Sequence, residues 1–179
     1  MSKADIRETI LSGAIAGAAG GLAEVAWVAL YAAVTGSSAA IIAKGVTTAA
    51  GVSALLPGAP VQMGVAVHMA LSLALGIALT FAWRSLAARS GAVGPYGFCL
   101  AALLGVWFVN FFVILPLVSP DFIQLVSYPV SLASKLLFGL AAAHVLYLSA
   151  KRTRQVIAAR IRACPQSVAS SSSSRKFLG

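Results

Sequence analysis

Residues 13–34 read GAIAGAAGGLAEVAWVALYAAV, an apolar stretch that one charged residue, Glu24, interrupts. A helix needs about 20 mainly apolar residues to cross the hydrocarbon core of a bilayer, so this stretch is long enough to span it. The composition agrees, because 60% of the 179 residues are hydrophobic and only 9% are charged. Soluble domains carry about 25% charged residues. The sequence therefore predicts an integral membrane protein and excludes a soluble enzyme, a disordered chain and a disulfide scaffold.

Four segments of the chain meet the same length and hydropathy requirement. They are residues 10–34, 65–83, 96–118 and 131–149. The predicted fold is all-α, a bundle of four transmembrane helices within residues 1–150. The apolar stretch of the first span is longer than the 7–15 residues of a signal-peptide core, which favours an uncleaved anchor. In the long first loop, residues 39–56 are weakly apolar and are interpreted as an interfacial or re-entrant helix.

Basic residues are distributed unevenly between the two sides of these spans. Eleven of the 13 Lys and Arg residues lie before the first span, in the second loop or after the fourth span. The first loop carries only Lys44, and the third loop carries none. Because basic residues are retained on the cytoplasmic side of a membrane, this distribution predicts that both termini are cytoplasmic.

The segment after the fourth span is strongly basic. Residues 151–164 read KRTRQVIAARIRAC and predict an amphipathic helix on the cytoplasmic surface. Anionic lipid headgroups are its expected partners, through Lys151, Arg152, Arg154, Arg160 and Arg162. Nucleic acid is not an expected partner, because no aromatic platform accompanies the charge. Residues 165–179, which include the serine run 170–174, are predicted to be disordered.

Polar side chains inside the predicted spans are rare and informative, because each costs several kcal/mol unless it is paired or wetted. The set that we single out as an intramembrane polar cluster is Glu24, His68, Ser72, Asn110 and Lys135. The helical rise places its ionisable members and the asparagine in the outer half of the bilayer. One hypothesis is a polar pocket open to the outer side, in which Glu24 pairs with Lys135 beside a titratable His68. The alternatives are a structural pair that locks two helices, and contacts with another subunit.

Glycines on the spans follow a regular pattern. Gly13, Gly17 and Gly21 repeat every four residues, a double G-x-x-x-G ridge that permits close helix packing. Gly76 and Gly139 coincide when the second span is aligned with the fourth, and both are predicted to be packing residues. This alignment is the basis for a two-plus-two parallel repeat.

The sequence carries no motif for a catalytic centre or a cofactor. His68 and His144 differ by about 15 Å along the membrane normal, so they are not expected to hold one haem. No Cys, His and carboxylate set has the spacing of a metal site. A nucleotide loop, a nucleophile elbow and a zincin motif are also missing from the sequence. The protein is therefore predicted not to be an enzyme and to need no cofactor.

Three short features resemble those of a known family. The second span opens with His-x-x-x-Ser at His68 and Ser72, and the glycine-rich first span ends near Glu24. The third span closes in FFVILPLVSPDF (111–122). In these features the chain resembles the small YagU-like bacterial inner-membrane proteins. The resemblance implies a bacterial inner-membrane location and a link to acid tolerance. It implies little about mechanism.

The sequence favours one function and leaves a second as the alternative. The first is a non-catalytic accessory or structural subunit of a larger inner-membrane complex, which packs on other membrane subunits or on its own copies through small-residue helix faces. Its support is the glycine ridge and the aromatic third span with Trp107, Phe108, Phe111 and Phe112. The second is a small oligomeric transporter or a proton- or ion-permeation protein, which would use Glu24, His68 and Lys135.

Overall fold

A computed structural model of the chain describes residues 3–55, 58–90 and 93–163, and the regular structure in these ranges is helical. The elements are α1 (Lys3–Thr35), α2 (Ala39–Ala49), α3 (Pro60–Ser90), α4 (Pro95–Val109), a π-helical turn (Asn110–Ile114), α5 (Leu115–Val118), α6 (Pro120–Leu125) and α7 (Tyr128–Ala163).

Four helical segments are long and apolar enough to cross a membrane, as the hydropathy pattern predicts. They are Asp5–Thr35, Pro60–Arg89, Pro95–Val118 and Tyr128–Arg162. Each is longer than its predicted span, because hydropathy finds only the apolar part of a helix. For the part of the chain that the structure describes, the prediction of an all-α fold with four helices long and apolar enough to cross a membrane is confirmed.

Helices α1 and α3 approach each other closely, and glycines permit this approach. A Cβ atom added at Gly17 would overlap the backbone of Ser72, and one added at Gly76 would overlap the backbone of Gly13 and Gly17. A Cβ atom at Gly13 would lie 2.6 Å from the Cα atom of Ile77. The two backbones are therefore in direct contact, which residues larger than glycine would prevent.

The apolar core lies where α1, α3, α4 and α7 meet. Its most buried side chains include Phe138, Leu103, Leu146 and Cys99. Helix α1 reaches this core through Gly20, where a Cβ atom would lie 2.7 Å from the ring of Phe138. Tight packing at this level fills the space between the helices.

A π-helical turn interrupts the third spanning segment where the sequence analysis predicts an ordinary helix. It covers Asn110–Ile114, and the Leu115 N–H donates to the Asn110 carbonyl five residues back. Pro116 follows directly, and its ring has no N–H and would clash with a carbonyl four residues earlier in a regular helix. The widened turn accommodates this proline and changes the direction of the side chains that precede it.

The first loop contains helix α2, which has 11 residues and is too short to cross a bilayer. It packs on α3, because Thr47 Oγ1 donates to the Pro60 carbonyl at 2.8 Å. A Cβ atom at Gly64 would also overlap the Ala43 carbonyl. The predicted helix over 39–56 is therefore shorter in the structure, and it is held by side-chain and backbone contacts to the next span.

A second unit of the chain begins at Tyr147, and its described residues are 147–163. Within it, 147–163 belong to α7, so the predicted amphipathic helix is the last part of a long helix rather than an element of its own. The predicted lipid-headgroup residues are all exposed there: Lys151, Arg152, Arg154, Arg160 and Arg162. Cys164 and the predicted disordered tail 165–179 lie outside the described residues.

Candidate functional site

One buried carboxylate connects α1 to α7. Glu24 is only 2% exposed, and its Oε1 accepts hydrogen bonds from Ser134 Oγ at 2.8 Å and from Lys135 Nζ at 2.7 Å. Trp27, one turn further along α1, donates from Nε1 to the Val130 carbonyl on α7 at 3.0 Å. The predicted pairing of Glu24 with Lys135 is therefore a direct ion pair in the structure.

The second oxygen of Glu24 faces α3. Its Oε2 lies 3.6 Å from His68 Nε2, and no donor among the described residues hydrogen-bonds to it. His68 Nε2 is also 3.5 Å from Ser72 Oγ on the same helix. We name Glu24, His68, Ser134 and Lys135 the Glu24 cluster. It contains a buried acceptor without a donor, which is uncommon in proteins.

The Glu24 cluster borders a cavity of about 510 Å³. This volume is in the range of small-molecule sites, which is about 300–1,000 Å³. The walls come from α1, α2, α3, α5, the π-helical turn and α7, and they are mainly apolar. Most of the polar lining residues lie at one end, which is formed by Glu24, His68, Ser72, Asn110, Ser134 and Lys135.

The polar end is the deep end of the cavity. On α1 the lining runs from Glu24 to Ala29, towards the end of the helix, and on the third spanning segment it runs from Asn110 to Val118. Beyond the polar end lie the backbone contact of Gly17 with Gly76 and the buried ring of Phe138. The cavity therefore extends from the half of the bundle that carries α2 and has a tightly packed floor.

Asn110 belongs to the cavity but makes no hydrogen bond to the Glu24 cluster. It is partly exposed at the start of the π-helical turn. Ser131, which helical spacing also places on the Lys135 face, instead accepts a hydrogen bond from Trp107 Nε1 at 2.9 Å. The turn that precedes Pro116 thus brings a carboxamide to the cavity without placing it in contact with the charges.

Two parts of the site were missed by the sequence analysis. Ser134 donates to Glu24, and its position next to Lys135, three residues after Ser131, is the signal that could have found it. The α2 wall, which includes Ala43 and Val46, could not be found from hydropathy, because a weakly apolar loop segment gives no information about the helix that it covers.

The two histidines lie in different surroundings. His144 Nδ1 is 2.9 Å from the hydroxyl oxygen of Tyr96, whereas His68 faces Glu24. Within residues 3–55, 58–90 and 93–163 there is no group of three or more His, Cys, Asp or Glu side chains that could hold a metal ion.

The glycines singled out in the sequence pack against helices of the same chain. Gly13 and Gly17 meet α3 at Gly76, and a Cβ atom at Gly21 would lie 2.8 Å from the Ser72 side chain. Gly139 faces α4, with its Cβ position 3.3 Å from Leu100 Cδ2. The glycine face of α1 is thus covered by α3, so it is not a free surface for another subunit.

The four spanning helices define the class of the molecule as a multi-pass α-helical membrane protein. No family model matches the chain, and comparisons with curated proteins and with solved structures also find no match.

Proposed function

We propose that the protein is a small membrane transporter or ion-permeation protein, in which the cavity is the solute site and the Glu24 cluster is its charged floor. One observation carries the proposal: His68 from α3 and Lys135 from α7 both meet the carboxylate of Glu24 on α1, at the closed end of a cavity. Ionisable groups inside a membrane protein that face a cavity are typical of solute and proton pathways.

A purely structural role explains this arrangement less well. The backbone contact between α1 and α3 already holds these helices together at Gly17 and Gly76. A buried ion pair adds little net stability compared with apolar residues of the same size, because both charges lose their hydration. The donorless oxygen of Glu24 adds a further cost. A carboxylate, an ammonium and an imidazole are therefore an inefficient way to lock three helices.

The closed floor favours a carrier over an open pore. Solute that entered the cavity would have to pass the level of Gly17 and Phe138 to reach the other side. The contacts between α1 and α7 at this site come from side chains, whereas α1 and α3 touch through their backbones. We infer that α1 and α3 move as one body against α7 during transport.

The charge distribution supports an orientation for this site. With both termini in the cytoplasm, as the excess of basic residues favours, the cavity faces the outer side of the membrane. The bacterial inner membrane is the proposed location, and it is supported by the resemblance to the YagU-like proteins. A link of that family to acid tolerance is compatible with a titratable histidine at the floor of the cavity.

The proposed two-plus-two repeat gains one argument from packing. Gly76 contacts α1, the first helix of its half, and Gly139 faces α4, the first helix of the other half. Equivalent glycines thus pack on equivalent helices, which is expected if α1 with α3 and α4 with α7 are related units.

The competing proposal is an accessory subunit of a larger complex. Its support is an aromatic surface in which Phe108 stacks on Phe112 at 4.9 Å, and Phe112 stacks on Tyr128 at 5.6 Å. All three rings are about half exposed, and rings of this kind are enriched where proteins associate. Such a subunit would purify in a fixed ratio with a partner chain.

Proton movement in proteoliposomes tests the transport proposal. Vesicles containing the pH dye pyranine would receive an acid pulse, first alone and then with an organic cation, an organic anion or a neutral solute outside. We expect wild-type protein to accelerate the pH change in at least one condition, and Glu24→Gln and Lys135→Met to abolish the acceleration. Glu8→Gln is the matched control, because Glu8 pairs with Arg84 away from the cavity.

Purification in mild detergent decides between the two proposals. A single polypeptide or a homo-oligomer with flux that depends on Glu24 supports transport. Absence of flux in every condition, together with a partner in a fixed ratio, would contradict it and favour the accessory subunit.

A further inference from the structure

We propose that the cavity binds a monovalent organic cation, a protonated amine with an apolar body, in exchange for the proton on His68. The proposal rests on the proposed transport function and names its substrate class. It depends on the space between Glu24 Oε2 and His68 Nε2, which are 3.6 Å apart with no hydrogen-bond donor on the carboxylate oxygen.

The two oxygens of Glu24 have unequal surroundings, and the difference indicates which ligand group would bind there. Oε1 accepts from both Ser134 and Lys135, so its acceptor capacity is used. Oε2 is buried at the cavity end and accepts from nothing among the described residues. The group that complements it is a hydrogen-bond donor, and an ammonium N–H gives the strongest bond to a carboxylate. An anionic group in this position would be repelled by the same oxygen.

Charge balance explains why the donor is a cation and why a histidine faces it. When His68 is neutral, the charges of Glu24 and Lys135 cancel. Protonation of His68 brings the site to one positive charge and provides an ion-pair partner for Oε2. A bound ammonium produces the same charge at the same oxygen. Proton and amine are therefore alternatives that leave the charge of the site unchanged.

Among the described residues, the titratable side chains that line the cavity are Glu24, His68 and Lys135. Glu24 faces His68 from α1, and Lys135 faces the site from α7. The described lining residues on α2, on α5 and on the π-helical turn are apolar, apart from the uncharged Asn110. His68 is the member expected to exchange its proton, since histidine is the side chain that changes charge near neutral pH.

The walls of the cavity define the rest of the ligand. Side chains such as Val28 on α1, Val46 on α2 and Phe111 in the π-helical turn form an apolar surface beyond the polar end. An alkyl or aryl body would bury its apolar surface there, which favours binding. An amphipathic amine thus matches both the deep charged end and the apolar walls.

The exchange step involves one proton and no covalent change in the ligand. The ammonium N–H donates to Glu24 Oε2, and the protonated His68 releases its Nε2 proton to water. The hydrogen bond from Lys135 Nζ to Glu24 Oε1 is unchanged throughout. One cation enters the site and one proton leaves it, so repeated exchange on both sides of the membrane is electroneutral antiport.

Calorimetric titration of the protein in lipid nanodiscs tests this assignment. The probes are 2-phenylethylammonium, its neutral analogue 2-phenylethanol and the anion 3-phenylpropanoate, which share an aryl body. Titrations in two buffers of different ionisation enthalpy report the protons released for each ligand bound. We expect the amine to bind with release of up to one proton at about pH 5, and to bind more tightly without release at about pH 8. We expect the affinity of the alcohol to be lower than that of the amine by a factor of about ten or more.

Variants separate the role of Glu24, which accepts the hydrogen bond from the ammonium, from the role of His68, which releases the proton. Glu24→Gln is expected to abolish amine binding. His68→Gln is expected to retain binding but to lose both proton release and pH dependence, and His144→Gln is its matched control because His144 is bonded to Tyr96 instead. If Glu24→Gln does not fold, Val46→Phe fills the cavity, with Ile41→Phe on the exposed face of the same helix as control.

Three results would overturn the proposal. The first is equal binding of alcohol and amine, and the second is proton release that persists in His68→Gln. The third is Glu24-dependent binding of the anion in place of the amine, which would change the substrate class but leave the transport proposal intact. Failure of the transport proposal is distinguishable, because then none of the probes would bind or move protons and a partner would co-purify.

Discussion

Two of the ion pairs between α1 and other helices differ in their surroundings, one near the start of its spanning segment and one near the middle. Glu8 and Arg84 lie 3.1 Å apart with side chains that are 51% and 28% exposed. Glu24 and Lys135 lie 2.7 Å apart, with side chains that are 3% and 20% exposed. The carboxylate is therefore exposed to solvent in the pair of Glu8 and buried in the pair of Glu24.

The surroundings decide what each pair contributes. An exposed pair is worth about 0–1 kcal/mol, because water and salt screen it and both side chains lose freedom. A buried pair is close to neutral when intact but costs about 3–5 kcal/mol when one partner is removed, because the other charge stays buried. Arg84 also donates to Thr9 Oγ1 at 2.8 Å, so its role in holding the start of α1 is distributed over several bonds. The role of Glu24 is concentrated in one carboxylate.

The largest effect is expected when the close contact between α1 and α3, which positions the buried pair, is disrupted. Gly17→Leu would place a side chain where the backbones of α1 and α3 touch, so we expect loss of folded protein, well beyond the 1–3 kcal/mol typical of overpacking. Size-exclusion chromatography of the solubilised variant measures this directly. Ala26→Leu, on an exposed position of the same helix, is expected to elute as wild type. Normal elution of the glycine variant would contradict the close contact.

The second-largest effect is expected when one partner of the buried ion pair is replaced. Lys135→Met leaves Glu24 charged and enclosed, and we expect a destabilisation of about 3–5 kcal/mol in SDS-induced unfolding. The double variant with Glu24→Gln removes both charges and is expected to recover most of this loss, since no unpaired charge remains. Additive losses in the two single variants and the double variant would show that the pair is not coupled.

The smallest expected effect concerns the exposed pair. Glu8→Gln should lower the free energy of unfolding by about 0–1 kcal/mol, and the difference from wild type should shrink as the salt concentration rises, because salt screens exposed charges. The same unfolding assay at low and high salt provides the measurement. A loss as large as that of Lys135→Met would mean that exposure does not distinguish the two pairs.

Composition and residue spacing predict the membrane spans and the polar residues within them. The four spans follow from hydropathy, whereas the pairing of Glu24 with Lys135 was a hypothesis that depth along the predicted helices allowed but did not decide. The contact between Gly17 and Gly76 was predicted only as a packing tendency of each helix. Which faces meet depends on the rotation of each helix, and hydropathy carries little information on rotation when most of the surface is apolar.

Local structure around the site was harder to predict than the site itself. The π-helical turn at Asn110–Ile114 arises because Pro116 cannot fit a regular helix, but a proline in a span is equally compatible with a kink. Ser134 and the α2 wall become part of the site only through contacts with distant residues. Contacts of this kind are tertiary, so neither periodicity nor composition indicates them.

The sequence by itself determined that this chain has four apolar helices long enough to span a membrane and a few ionisable residues within them. These properties add up residue by residue, because the transfer of a helix into a bilayer is close to a sum over its side chains. Only the tertiary structure decided that both donors reach one oxygen of Glu24 and that the other oxygen faces His68 at the floor of a cavity. A hydrogen bond requires a specific distance and direction between atoms on different helices, and helix packing alone sets both.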